Sequence, residues 1–239
     1  MCNQRPALFR GRHFADEIIV LCVRWYLRFS LSYRDLEELM TERNLNLDHT
    51  TVWRWVQRYA PELERRARRE LKRTGGSWRV DETYVRAAGQ WTYLYRAVDS
   101  TGATIDFYLS ANRDADAAKQ FFRKALAGGN HPRPRVINVD GNPSYPKVVE
   151  ELKQGRRLGR RCRCRTCPYL NNIVEQDHRA IKRRINAKQG FRSFEAAQRT
   201  IQGYKVLHMI RKGQVRWLPT GDVAGQVAFI NQTLGLKAA

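Results

Sequence analysis

The sequence predicts a mixed α/β protein that is preceded by an all-helical segment. Apolar residues recur at helical spacing through the first sixty residues. From residue 77 onward, three short strand-like runs are followed by alternating helix and strand patterns. The sequence Thr-Gly-Gly-Ser at residues 74–77 marks the boundary between the two regions.

The composition of the chain indicates a folded protein with a polyanionic partner. Its 239 residues can form one sizeable core and a small accessory domain. An apolar content of 42% excludes a disordered basic tail. The 44 Lys and Arg residues against 23 Asp and Glu residues give a net charge of +21. Such a charge attracts nucleic acid through counterion release, so we expect nucleic acid as the partner.

Cysteine usage and hydropathy indicate a reducing, aqueous compartment. The five cysteines are an odd number without the pattern of a secreted disulfide framework. The most apolar N-terminal run, residues 18–23, is too short to span a membrane and lacks the layout of a signal peptide. We therefore expect a cytoplasmic, nucleoid-associated protein with no membrane partner.

Residues 1–62 are predicted to form a helix-turn-helix DNA-binding domain. A first helix covers residues 14–29, and Ser32 caps a second helix with Asp35 three residues later. Asp48 caps a third helix. Its inner, apolar stripe consists of Val52, Trp55, Val56 and Tyr59.

The polar face of this third helix carries side chains that can contact base edges and phosphates. The residues are Thr50, Arg54, Gln57 and Arg58. The alternative interpretation is an ordinary three-helix bundle with a basic exterior. The positive net charge of the chain favours a DNA-binding domain. Pro61 suits the first turn of a further helix, and residues 63–76 are predicted to form a basic helical linker.

Residues 77–190 are predicted to form the catalytic core. Strands are expected at residues 78–86, 91–99 and 104–110. These strands are followed by a helix at residues 114–127 and by a strand that ends at Asp140. A helix, a further strand and a further helix come next. This order is that of a ribonuclease-H-like core, in which the first and fourth strands are neighbours, so Asp81 should lie near Asp140. Residues 191–239 are predicted to be a C-terminal helical segment with a possible dimer contact.

Three carboxylates are candidates for a phosphoryl-transfer site, namely Asp81, Asp140 and Glu175. Glu175 shares a helical face with His178 and Lys182, whereas Asp177 points elsewhere. Glu82 is expected to face away from Asp81 because neighbouring side chains alternate along a strand.

The segment Cys162-x-Cys164-x-x-Cys167 has two interpretations. Three thiols could form part of a zinc site, but the spacing is irregular and the remaining cysteines are far away in the sequence. Because arginines interleave with these cysteines, we favour a DNA-contacting strand or loop.

Several stretches together resemble the DDE-type transposases of bacterial insertion sequences, and closely the cointegrate-forming insertion-sequence-six group. The similarity extends from about residue 14 to residue 217. The stretches that carry it are residues 80–85, 95–99, 138–145, 169–183, 191–195 and 208–213.

The resemblance implies a Mg²⁺-dependent polynucleotidyl transferase. Two Mg²⁺ ions would bind here, and Mn²⁺ would substitute for them. Asp81 would bind both ions, whereas Asp140 and Glu175 would bind one ion each. Lys182 and His178 would contact the substrate phosphate. The DNA partners would be the terminal inverted repeats and the target DNA, with the protein acting as a homodimer or a larger assembly.

Two other functions remain open on the sequence alone. The first is a related ribonuclease-H-like integrase or nuclease that acts on different DNA. The second is a non-enzymatic helix-turn-helix DNA-binding protein with a degenerate core.

Overall fold

The chain divides into two compact units. The computed structural model describes residues 5–128, 131–186 and 190–236. One unit combines Met1–Leu71 with Glu195–Ala239, and the other is Lys72–Phe194. These boundaries differ from the predicted ones, since residues 63–71 of the expected linker and residues 195–236 belong to the helical unit. The division follows packing, which the local sequence pattern does not reveal.

The helical unit contains the three predicted N-terminal helices. They are α1 (Asp16–Arg28), α2 (Tyr33–Thr41) and α3 (His49–Ala67). Ser32 and Asp35 form a reciprocal capping box at α2, and the Asp48 side chain accepts from two backbone N–H groups at the start of α3. All four residues predicted for the inner stripe of α3 are buried.

The expectation that Pro61 begins a new helix is wrong. Helix α3 continues through Pro61 to Ala67 without interruption. Proline inside a helix removes one backbone hydrogen bond. Here the buried face continues on both sides of the proline, with Ala60, Leu63 and Ala67 fully buried. Tertiary packing of that face therefore outweighs the local preference.

Two C-terminal helices complete this unit, α7 (Phe194–Arg211) and α8 (Val223–Leu234). Helix α7 is buried around most of its circumference, and even Lys205 is buried, in an ion pair 2.6 Å from Glu64. At Gly203, a Cβ atom would lie 2.6 Å from the Leu27 side chain and 2.8 Å from the Cβ of Ala60. Glycine at this position therefore permits the close approach of α7 to α1 and α3.

The second unit is built on a five-stranded mixed sheet. Its strands are β1 (Ser77–Ala87), β2 (Gln90–Asp99), β3 (Thr104–Ser110), β4 (Val136–Val139) and β5 (Arg163–Thr166), in the order β3-β2-β1-β4-β5. The first three strands pair antiparallel, whereas β4 pairs parallel with both β1 and β5. This topology agrees with the predicted ribonuclease-H-like core, so the fold class is confirmed.

Helices cover the two faces of this sheet. Side chains of α4 (Ala115–Ala127) and α5 (Ser144–Gln154) form a core with Trp78, Val80 and Tyr95 of the sheet. Helix α6 (Asn172–Asn186) packs on β1 and β2. Because side chains alternate along a strand, Asp81 points away from the α4–α5 core, to the face that α6 covers.

The cysteine-rich segment contains strand β5. Cys162 is buried in the core beneath the sheet, and Cys164 packs against that core. The intervening Arg163 and Arg165 are exposed. The alternation places two thiols as small apolar side chains inside and two arginines outside. Burial raises the pKa of both thiols, which keeps them protonated.

Across the described residues, no helix is both long enough and apolar enough to cross a membrane.

Replacing Gly203 by alanine should destabilise the helical unit. The added methyl group would overlap Leu27 and Ala60, and such overpacking costs roughly 1–3 kcal/mol. Chemical denaturation followed by circular dichroism measures the change. Gly159→Ala is the control, because no atom lies within 4 Å of its added Cβ. Equal stability of Gly203→Ala and the wild type would contradict the tight packing of α7.

Candidate active site

The parallel pairing of β1 and β4 brings Asp81 and Asp140 together. The register runs from Ser77 opposite Val136 to Arg79 opposite Asn138. Both aspartates lie two residues beyond that last pair, so their strands deliver them to equivalent positions. The structure thus brings together the two aspartates that the sequence predicted as neighbours.

Glu82 also belongs to this carboxylate group, although its side chain leaves the strand on the opposite face from Asp81, as expected. Oxygen atoms of Asp81, Glu82 and Asp140 all lie within 4.8 Å of one another. Asp81 accepts a hydrogen bond of 2.9 Å from the backbone N–H of Glu82. Alternation directs the two side chains to opposite faces. Both carboxylates nevertheless reach the end of β4, because β1 continues beyond it.

Three side chains that the sequence analysis did not identify hold Glu82 in place. Arg113 Nε donates to its Oε1 at 2.6 Å, and Asn142 Nδ2 donates to the same oxygen at 3.2 Å. The Tyr145 hydroxyl donates to Oε2. Arg113 also lies 4.0 Å from Asp140, so one guanidinium offsets part of the charge of two carboxylates. No local sequence signal marks Arg113, which lies in the loop between β3 and α4.

A buried amide network fixes the beginning of α6 on the sheet. Asn138 of β4 donates to Oδ1 of Asn171 at 2.8 Å, and Asn171 donates to the Val80 carbonyl at 3.2 Å. Asn138 also donates to the carbonyl of Cys167 at 2.9 Å. The residues before α6 are therefore tied to the strands that carry Asp81 and Asp140.

Glu175 lies in the first turn of α6 and is exposed. It is outside the group of three carboxylates that lie within 4.8 Å of one another. Its charge nevertheless contributes to the raised pKa of Asp81. The fold therefore places the third predicted carboxylate close enough to Asp81 to affect its pKa, with the Glu175 side chain exposed to solvent.

Asp177, which the sequence analysis set aside as a ligand, has a structural partner. Its Oδ2 lies 2.6 Å from an Nη atom of Arg96, a β2 residue with no exposed surface. Arg96 is also directly opposite Asp81 in the β1–β2 ladder and stacks over Phe107 at 4.3 Å. The pair therefore joins α6 to the strand beside Asp81. Sequence alone gave no signal for it, because its members are 81 residues apart.

His178 and Lys182 occupy different environments on α6. His178 is 6% exposed, and its Nδ1 is 3.5 Å from Asp81. Burial, reinforced by Arg96 and Lys182, lowers the pKa of His178 to about 2, so the imidazole is neutral. A buried neutral ring does not fit the predicted phosphate contact and instead faces Asp81. Lys182 is partly exposed, with Nζ 5.8 Å from the centre of the Tyr84 ring.

The pKa values of two of the clustered carboxylates are raised. Burial, followed by repulsion from Glu82, Asp140 and Glu175, raises the pKa of Asp81 to about 7. Burial and the charge of Glu82 also raise the pKa of Asp140. Burial and neighbouring negative charge therefore both disfavour the ionised forms of these aspartates, and a bound cation would favour them.

The candidate DNA-reading residues of α3 are not all on the outside. Thr50, Arg54 and Arg58 are exposed. Gln57 is only 7% exposed and donates a hydrogen bond of 3.0 Å to the Thr200 hydroxyl of α7. The expectation that Gln57 reaches a DNA groove is therefore wrong, because packing against α7 buries a residue that the sequence analysis assigned to the polar face.

Comparison with known proteins identifies the family. A family model described as a DDE domain matches residues 75–214. A Staphylococcus aureus (strain Mu50) transposase for the insertion sequence-like element IS431mec is 38% identical, covering 88% of this chain and 91% of the relative. The chain belongs to the DDE transposases of insertion sequences. The S. aureus transposase for element IS257 in transposon Tn4003 is 37% identical to this DDE transposase over the same shares of both chains. These relatives are insertion-sequence-six transposases, which confirms the predicted group.

A solved structure also resembles this DDE transposase weakly. The HTLV-2 integrase catalytic core domain in complex with magnesium superposes with a TM-score of 0.39 at 17% identity. The alignment covers 48% of this chain and 71% of the integrase chain.

The raised pKa of Asp81 predicts a pH-dependent stability in the DDE transposase. The folded-state pKa is about 7, above the unfolded reference of 3.8, so the folded state binds the additional proton between these values. Protonation of Asp81 therefore stabilises the folded state fully below about pH 4, and this stabilisation is lost as the pH rises through 7. Asp81→Asn cannot ionise, so in EDTA at pH 8 it should be more stable than the wild type by about 1–4 kcal/mol.

Urea denaturation of both proteins from pH 4 to pH 8 measures this effect. The stability of Asp81→Asn relative to the wild type should grow across that range. Glu195→Gln, an exposed carboxylate outside the site, is the control for a general effect of removing a charge. A pH-independent difference between Asp81→Asn and the wild type would contradict the assignment.

Proposed function

We propose that this transposase cleaves DNA at the ends of its insertion sequence and joins the released 3′-hydroxyl groups to target DNA. Asp81, Asp140 and Glu175 are the proposed catalytic carboxylates. The single observation that supports this assignment best is the convergence of Asp81 and Asp140 at the ends of paired parallel strands, with Glu175 on the helix tied to those strands.

The donor set fits divalent cations. Carboxylate oxygens are the ligands that Mg²⁺ prefers, and oxygens of two of the proposed ligands, Asp81 and Asp140, lie within 4.8 Å of each other and of Glu82. Burial and repulsion from Glu82 and Asp140 raise the pKa of Asp81, and a bound cation would relieve that repulsion. We propose two Mg²⁺ ions, with Mn²⁺ as a substitute, held by Asp81, Asp140 and Glu175. Such ions would stabilise charge on the attacking and leaving oxygens.

The surrounding residues have distinct proposed roles. Lys182, partly exposed on the same helix as Glu175, contacts the DNA phosphate. Arg113 balances Glu82 and Asp140 and holds both carboxylates in place. His178, neutral and 3.5 Å from Asp81, limits the positions that the Asp81 carboxylate can adopt.

The helical unit is proposed to recognise the terminal inverted repeats. Ser32 and Asp48 cap two successive helices, α2 and α3, in the arrangement of a helix-turn-helix. Thr50, Arg54 and Arg58 are exposed within the first ten residues of α3, and a recognition helix contacts base edges with its N-terminal part. The net charge of +21 supports binding to both repeat and target DNA.

A homodimer or a larger assembly is the proposed active form. An insertion sequence has two ends, and each end needs one set of catalytic carboxylates during strand transfer. One chain provides one such set.

Asp81→Asn should abolish strand transfer while leaving DNA binding intact. The amide is similar in shape to the carboxylate but carries no charge to hold a cation, so we expect activity to fall at least about a hundredfold. The assay uses a labelled DNA carrying the end of the element, with Mg²⁺, and follows cleavage and joining on a gel. Asp116→Asn, on α4, is the matched control.

Wild-type activity in Asp81→Asn would disprove the assigned triad. Loss of DNA binding together with activity would indicate a folding defect, which the denaturation curves in EDTA detect independently. An inactive wild type that still binds element ends specifically would favour a non-enzymatic DNA-binding protein.

Substitutions on α3 should separate DNA contact from packing. Arg54→Ala with Arg58→Ala should weaken binding to the terminal repeat, and more strongly than binding to random DNA. Removing a side chain that reads a base edge costs about 1–3 kcal/mol of binding free energy. Gln57→Ala should instead lower the free energy of unfolding, because it removes the buried bond to Thr200.

Fluorescence anisotropy with repeat and random duplexes measures the first effect, and urea denaturation measures the second. Equal weakening on both duplexes would show that the two arginines contact only phosphates. A selective weakening of repeat binding in Gln57→Ala would contradict its structural role.

A further inference from the structure

An exposed aromatic patch lies beside the carboxylate group, on the hairpin formed by β1 and β2. We define the aromatic platform as the exposed Tyr84 and Trp91 together with the partly buried Tyr93. Tyr84 is 51% exposed and Trp91 is 66% exposed. The ring centres of Tyr84 and Tyr93 are 5.7 Å apart, and those of Tyr84 and Trp91 are 6.3 Å apart. The proposed catalytic residues do not use these rings.

Strand pairing explains why the three rings share one face. Tyr84 is directly opposite Tyr93, and Trp91 is opposite Arg86. Side chains two residues apart on a strand point to the same face, so Tyr84 and Arg86 lie on one side together with Trp91 and Tyr93. Further along the same face, α4 and α5 cover Trp78 and Val80, whereas this end of the hairpin is exposed.

The aromatic platform is adjacent to the proposed site of chemistry. Tyr84 follows Glu82 on the same face of β1, and two residues of a strand span about 6.6 Å. The Glu82 carboxylate lies within 4.8 Å of the oxygens of Asp81 and Asp140. A nucleotide whose base lay on the Tyr84 ring would therefore be close in the strand to a phosphate at the carboxylates.

The charges around the platform match nucleic acid. Lys182 Nζ is 5.8 Å from the Tyr84 ring centre, and the exposed Arg86 is paired with Trp91 across the hairpin. Cations beside exposed rings form the usual combination for single-stranded DNA, in which phosphates contact the charges and bases stack on the rings. An apolar protein partner would gain nothing from these two cations.

We propose that the aromatic platform binds an unpaired base of the DNA strand next to the phosphate that is cut. This proposal rests on the proposed DNA-transfer function and adds a binding site to it. A base in a duplex is stacked on its neighbours and cannot lie on a protein ring, so the platform selects DNA that is locally opened. Lys182 would hold the adjoining phosphate while the ring holds the base.

The test compares two fluorescein-labelled duplexes of identical sequence, one fully paired and one ending in a short unpaired thymidine flap. Anisotropy titrations in EDTA give the ratio of their dissociation constants for the full chain. The wild type should prefer the flap duplex. Tyr84→Ala with Trp91→Ala should reduce this preference by roughly tenfold, since each stacked base contributes that order of affinity.

Three further variants control for other causes. Trp91→Leu keeps an apolar side chain on the strand but should also lose the preference for the flap duplex. Tyr84→Phe keeps the aromatic ring and should retain this preference. Trp217→Ala removes a tryptophan that is 60% exposed in the helical unit and should leave the preference unchanged.

An unchanged preference in the double variant would overturn the proposal. An equal loss of preference in Trp217→Ala would also overturn it. A change in the sedimentation of the DNA-free protein caused by Trp91→Leu would overturn it as well, because it would identify the patch as a contact between two copies. The outcome is independent of catalysis, because binding is measured without divalent cations. Asp81→Asn should keep the preference even though it cannot transfer strands.

Discussion

A buried ion pair between Arg96 and Asp177 fixes the helix that carries Glu175 to the sheet. Burying a guanidinium is costly, and burial lowers the pKa of Arg96 to about 10 even with Asp177 and Asp81 as opposing charges. Removing one partner of such a pair typically costs about 3–5 kcal/mol, because the other is left as a buried charge. The pair thus holds α6 on β2 directly beside Asp81, and the position of Glu175 relative to the two aspartates follows from it.

The second constraint is the concentration of negative charge in a strongly basic chain. Asp81, Glu82 and Asp140 repel one another at the end of β4, and the protein tolerates this repulsion by protonating Asp81 or by pairing Glu82 with Arg113. The many basic residues elsewhere attract a polyanion, while the carboxylates provide an environment suited to divalent cations. Attraction of the polyanion therefore depends on positive charge, whereas cation binding at the carboxylates depends on negative charge.

The fold and two of the candidate carboxylates could be predicted with little error. Capping residues such as Ser32 and Asp48 act within three residues of themselves, so their effect can be read locally. The neighbouring positions of Asp81 and Asp140 followed from strand order alone. Gln57, in contrast, lies near the edge of the apolar stripe of α3, and only the presence of Thr200 on α7 buries it. Pro61 likewise needed the packed face of α3 to show that the helix continues.

The helix caps, the order of the strands and the family can be known without a structure, because each depends on local pattern or on similarity along the chain. The partners of the charged groups emerge only in the folded protein. Arg113 with Glu82, Arg96 with Asp177 and His178 with Asp81 join residues that are at least 31 positions apart. Each of these pairs contains at least one buried side chain, for which electrostatic interactions are strong and an uncompensated charge is costly. No property of the individual segments specifies which distant segment will share that environment.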